Sequence, residues 1–156
     1  RVGTARRLLR AQELAQERGY RLKLWDGLRP PETQWALWEH TPVPGFVASP
    51  HKAYSTHNRG AAVDVTLVDS DGNNLPMPSD FDDFTGRASR DYPEASKPEI
   101  RNALLLESIM TEVGFTTIHS EWWHFADLDA RDYEVIDVYA ALLDLNIEVP
   151  DENSTP

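Results

Sequence analysis

Apolar positions recur with two different periods along this chain. From Thr4 to Arg18, Ala5, Leu8, Leu9, Ala11, Leu14 and Ala15 fall on one side of a 3.6-residue repeat, which predicts a helix. Thr4 reads as its N-cap and Gly19 as its stop. Tyr20 to Trp25 then switches to a period of two, with Tyr20, Leu22 and Leu24 set against Arg21, Lys23 and Trp25, and predicts a strand. Asp26-Gly27 and Arg29-Pro30-Pro31 interrupt it. Pro31 to His40, carrying Trp35, Leu37 and Trp38, predicts a short helix. Thr41 to Ser55, with three prolines and Gly45, predicts a loop.

The clearest strand is Ala61 to Val68. Alternation places Ala61, Val63, Val65 and Leu67 on one face and Ala62, Asp64, Thr66 and Val68 on the other. Asp71-Gly72-Asn73-Asn74 marks a turn, and Leu75 to Tyr92 is polar and irregular around Phe81-Asp82-Asp83-Phe84. Ser96 to Val113 is the strongest helix: Ser96 and Glu99 form a capping-box pair, Pro98 lies in the first turn and Gly114 follows the end. Phe115 to Ile118 and Trp122 to Ala126 read as two short strands joined through His119-Ser120. Val135 to Leu145 reads as strand, then helix, and Asp151 to Pro156 as a frayed tail. Helices and strands mix without a βαβ rhythm. The expected class is therefore α+β, a largely antiparallel sheet packed by helices. The expected unit is one domain over residues 1–150, followed by a flexible tail over 151–156.

Composition narrows the chemistry. The net charge of −11 argues against nucleic acid or an anionic membrane as partner. With no cysteine, disulfides, thiolate metal sites and cysteine nucleophiles are excluded, so any metal must be held by nitrogen and oxygen. No apolar run approaches a membrane span and no signal peptide is evident. A cytoplasmic location is the expectation; a leader removed upstream of Arg1 would instead mean export. A homo-oligomer is compatible with the sequence and not read from it.

Two of the five histidines sit in unusual company. His57 precedes the Ala61–Val68 strand, Asp64 lies within it, and Gly60 permits a sharp turn between them. A lone Asp inside an apolar strand is costly unless it is paired or binds a metal. His124 lies three residues beyond Glu121. In a regular strand those two point to opposite faces, so one shared site requires a turn or bulge near Glu121. His57, Asp64 and His124 make three protein ligands, the number a catalytic zinc uses while keeping a position open for water. Glu121 is then the carboxylate placed to move protons as general base. Each residue taken singly has a plainer reading: a structural histidine, a hydrogen-bonded Asp64, a Glu121 paired with a surface arginine, a Trp122-Trp123 pair used for packing. Two such clusters at strand edges are harder to explain as packing. His51 and His119 remain as alternative imidazoles.

Ser55-x-His57-x-x-Gly60-x-Ala62-x-Asp64 together with Glu121-x-Trp123-His124 resembles the metal signature of the D-Ala-D-Ala metallopeptidases, which include VanX-type dipeptidases and VanY-type carboxypeptidases. Trp25-Asp26-Gly27-Leu28-Arg29-Pro30 and Phe81-Asp82-Asp83-Phe84 resemble segments of the dipeptidases, and the likeness runs from about Tyr20 to Val138. It implies zinc as cofactor, held by His57, Asp64 and His124, with Glu121 as base. It further implies Arg29 as donor to the carbonyl oxygen of the tetrahedral intermediate. Asp82 becomes the receptor for a dipeptide ammonium, with Asp80 and Asp83 as alternatives, and Ser55 an assisting group. The implied partner is a small dipeptide, and the implied service is glycopeptide resistance or recycling of cell-wall D-alanine. Family members carry further residues upstream that wall part of the pocket, so the resemblance leaves pocket closure to be found. A carboxypeptidase acting on peptidoglycan stems, a non-catalytic zinc-dependent binder of cell-wall fragments, and a metal-free structural domain are the rival expectations.

Overall fold

In the computed structural model, which describes residues 1–138 and 141, three helices accompany one four-stranded sheet. The elements run α1 (Val2–Glu17), β1 (Arg21–Asp26), α2 (Pro31–His40), β2 (Ala62–Val68), α3 (Lys97–Glu112), β3 (Phe115–Ile118) and β4 (Glu121–Asp127). Strand order is β1-β2-β4-β3, and every pairing is antiparallel. This is the expected α+β class. No helix among the described residues is long and apolar enough to cross a membrane.

The core lies between the sheet and the two long helices. Ala11, Leu14 and Ala15 of α1 and Leu106, Ile109 and Met110 of α3 join Val63, Val65 and Leu67 of β2 and Phe125 of β4. Burial of such side chains stabilises the fold by roughly 1.5–3 kcal/mol for each large one. The α3 boundaries follow the sequence signals. The Glu99 carboxylate accepts from the Ser96 backbone N–H at 2.6 Å, closing the capping box, and Gly114 takes φ +94° just past the end.

Two expectations change. Thr4 does not cap α1, which begins at Val2; it is buried within the helix, and its hydroxyl donates to Asp127 Oδ2 at 2.7 Å. A tertiary acceptor wins over the local backbone. On β1, Leu24 is 52% exposed and Trp25 packs inward instead. The pairing runs from Leu24↔Val65 to Asp26↔Asp64, so one residue is extra on β1, and that bulge turns Trp25 onto Phe81, ring to ring at 4.6 Å. On α2 the apolar residues are only partly covered, and the buried side chain is Gln34. Both faces of β2 are covered: all seven of its residues are buried. Of the predicted Val135–Leu145 element only residues 135–138 and 141 are described; the rest of it and the 151–156 tail lie outside the described residues.

Gly60 ends the short 3₁₀ turn His57–Arg59 and carries φ +62°. A Cβ there would approach Ile136 Cδ1 to 2.8 Å. Gly60→Ala is expected to destabilise the protein by about 1–3 kcal/mol, combining left-handed backbone strain with this clash. A urea-unfolding midpoint equal to that of the parent would remove the requirement for glycine.

Candidate active site

The site is built on one row across the sheet. Asp26 on β1 pairs with Asp64 on β2, and Asp64 pairs with His124 on β4. Cross-strand neighbours lie about 4.5–5.5 Å apart, so the ladder alone brings these side chains together. His57 enters from the 3₁₀ turn ahead of β2, folded back by Gly60. Glu121 joins through an irregularity at the start of β4. Pairing goes from Thr117↔Phe125 to Ile118↔Glu121, one step on β3 against four on β4. The bulge that the Glu121–His124 spacing demands is therefore present.

His57 Nε2 lies 3.1 Å from His124 Nδ1 and 3.3 Å from Asp64 Oδ1, and His124 Nδ1 lies 3.0 Å from the same oxygen. All three residues are buried. The other ring nitrogen of His57, Nδ1, donates to the Gly27 carbonyl at 2.9 Å, so Nε2 faces the cluster, an acceptor in the neutral ring and a donor to Asp64 when the ring is protonated. Glu121 Oε2 stands 3.9 Å from His124 Nδ1. Arg29, Ser55, Asp82, Glu121 and the three cluster residues line one cavity, with Phe46, Phe84 and Trp123 among its apolar walls.

Electrostatics reflect this crowding. For Asp64, burial favours the neutral acid, but hydrogen bonds from His124 and His57 outweigh it and hold the carboxyl well below the usual range. His57 is raised: burial opposes the charge, and the hydrogen bond and charge of Asp64 overcome it. His124 is lowered, chiefly by burial. Glu121 is pushed up to about 8, first by burial and then by the Asp64 charge. Asp82, at the rim, is raised by partial desolvation and by Asp64. It holds a left-handed φ of 58°. Asp83 instead accepts from the Thr85 N–H, and Asp80 lines a separate hollow beside Trp25 and Trp122. Asp82 is thus the acid of the three that meets the cavity.

Neither alternative imidazole is in the cluster. His119 is exposed and pairs with Ser89 and Asp91, while His51 stands edge-on to Trp35. Trp122 and Trp123 are both buried in the core, with Trp123 also reaching the cavity wall. Four supporting residues escape the sequence reading. Asp26 clamps the Arg29 guanidinium through Nε at 2.9 Å and through a terminal nitrogen. Gln34 Oε1 accepts from the third guanidinium nitrogen at 2.9 Å. Asn58, fully buried, donates to the Arg29 carbonyl and accepts from the Ser55 N–H, both at 2.8 Å. Arg90 donates to the His124 and Ile118 carbonyls at 2.9 and 2.8 Å, pinning the bulged start of β4 from outside. Only Asp26 had a local signal, its place three residues before Arg29. The others are found by the chain's return in space.

The sequence pattern of the D-Ala-D-Ala dipeptidase family matches residues 2–142. A D-alanyl-D-alanine dipeptidase of Escherichia coli K12 is 39% identical over 129 residues, spanning 83% of this chain and 66% of its own length. One from Enterococcus faecium is 38% identical over 149 residues, 80% of this chain and 72% of its own length. One from Streptomyces coelicolor is 32% identical over 134 residues, 74% of this chain and 66% of its own length. The chain belongs to the D-Ala-D-Ala dipeptidase family. It spans about two thirds of the length of these relatives.

This is a family of metallopeptidases, and His57, Asp64 and His124 are the residues in this chain able to hold a metal among those described. The donor set fits the task. Two imidazole nitrogens and a carboxylate oxygen lie within 4.8 Å of one another. Such a set suits a first-row divalent cation. Because His57 binds a proton more tightly than a free imidazole, protons compete with metal at this site. Affinity for a divalent metal is expected to weaken on acidification through the range where His57 takes up its proton, by roughly tenfold per pH unit for each proton displaced. Calorimetric titrations in buffers of different ionisation enthalpy would report the protons released; release of none contradicts this reading.

Proposed function

We propose that this chain hydrolyses the D-alanyl-D-alanine dipeptide, with zinc held by His57, Asp64 and His124. The observation that carries the reading is the meeting of those three donors with Glu121 and Arg29 around one cavity. Zinc in such a site supplies a Lewis acid that acidifies water and polarises a carbonyl. The remaining work falls to side chains. Beside a divalent cation the Glu121 carboxyl, which is neutral up to about 8 in the protein alone, returns to its ionised form. It then takes the proton of the attacking water and delivers it to the departing amine nitrogen. Arg29 donates to the carbonyl oxygen as negative charge develops there. Asp82 at the rim receives the dipeptide's ammonium, and the Ser55 hydroxyl offers a further hydrogen bond.

An acid at the cavity rim favours a substrate with a free amino end over a long stem peptide, which places dipeptide cleavage ahead of carboxypeptidase action. A cytoplasmic site of action belongs to the same reading.

The test is amine release from D-Ala-D-Ala, with L-Ala-L-Ala and an N-blocked tripeptide as comparisons, with and without added zinc. Only the free D,D-dipeptide is expected to be cleaved, and only with metal. Glu121→Ala is expected to lose about 10²–10⁴-fold in kcat while keeping its metal. Metal bound at one per chain with no dipeptide cleaved would overturn the substrate, and equal rates on the tripeptide would favour the carboxypeptidase.

A further inference from the structure

Helix α2 is unusual in what it buries. Trp35, Leu37 and Trp38 stay partly exposed, and its one buried side chain is the amide of Gln34, with no exposure to solvent. Burying a polar side chain in place of available apolar ones contributes little to stability, and the amide must find partners at both ends. It does so on two separate elements. Its Oε1 accepts from Arg29 NH1 at 2.9 Å, and its Nε2 donates to the Ala48 carbonyl at 2.8 Å. Ala48 belongs, with Phe46 and Val47, to a loop segment that lines the same cavity as the cluster.

Arg29 has five N–H donors. Asp26 Oδ2 takes Nε–H and one N–H of NH2, and Gln34 takes one N–H of NH1. One N–H on each terminal nitrogen remains without a described partner, and Arg29 lines the cavity. Asp26 on its own leaves the guanidinium free to swing about that one carboxylate oxygen; the Gln34 contact on the far nitrogen fixes its plane.

We infer that Gln34 is a positioning residue. It sets the orientation of the Arg29 guanidinium toward the substrate carbonyl and fastens the Phe46–Ala48 wall to the same point. The inference rests on the dipeptidase reading and names a residue that reading does not use. The two ends of the amide predict separable effects. Gln34→Met keeps the bulk and removes both bonds. It is expected to lower kcat by about 10–100-fold, since small misplacement of a group aimed at the reacting centre carries losses of that order. Metal content should be unchanged. Gln34→Glu keeps the oxygen acceptor for Arg29 and removes the amide donor to Ala48. It is expected to recover most of the kcat lost in Gln34→Met and to show its deficit in KM.

A residue that only supports the fold would lower the melting temperature in both variants without this kcat-against-KM split. Parent-like kcat in folded Gln34→Met overturns the inference. If Gln34→Met does not fold, Gln34→Glu decides alone: a loss confined to kcat overturns it. Should the parent cleave no dipeptide, the function reading fails and the inference is read elsewhere. The guanidinium N–H signals of Arg29, assigned against Arg29→Lys, should exchange slowly in the parent and rapidly in Gln34→Met. Equal exchange in both would overturn it.

Discussion

Asp64 is the constraint around which the molecule is arranged: a carboxylate in the middle of a strand buried along its whole length. An ionised group in that position has lost its water and must regain the energy from neighbours. His57 and His124 supply the hydrogen bonds that keep it charged, and their own titration is displaced by doing so. Every nearby feature follows. The 3₁₀ turn and Gly60 deliver one imidazole, the sheet ladder delivers the other, and Glu121 sits close enough to feel the charge. A divalent cation held among them would engage all three donors at once.

The rest of the fold divides its labour around that point. The helical face of the sheet is ordinary packing, with α1 and α3 laid over Val63, Val65 and Leu67. The opposite face carries the Asp64–His124 pair, and the cavity there is also lined by residues of α2 and of the irregular stretches 41–56 and 75–92. That lining is fastened by polar groups, Gln34 and Asn58 above all, and by aromatic contacts of Phe81 with Trp25 and Trp123. Two of the three donors stand on strands and His57 on the 3₁₀ turn, while much of the cavity wall comes from loops.

Much of this was legible in the residues. Strong periods gave α1, α3 and β2, and the capping box located the start of α3 to the residue. The cluster was legible because an Asp in an apolar strand and a Glu–His pair at odd spacing are both locally wrong, and local conflict marks a site. The geometry bears out the bulge that this spacing required, while the roles of the seven site residues stand as proposals. What could not be read was set by distant partners. Thr4 looks like a cap until Asp127 comes within reach, and Leu24 looks buried until a bulge substitutes Trp25. Gln34 passes unremarked because nothing beside it in sequence shows Arg29 and Ala48 closing on it.

The placement of Asp64 and His124 as paired residues on adjacent strands has a bearing on how the chain finds its native state. Side chains alternate along a strand, so a slip of β4 by one residue against β2 would carry His124 to the helical face and bring an aromatic ring to the cluster. A misregistered sheet would keep much of its apolar burial yet offer only two of the three donors. Metal binding by these three residues would therefore depend on strand register: a ladder out by one residue would present an incomplete donor set.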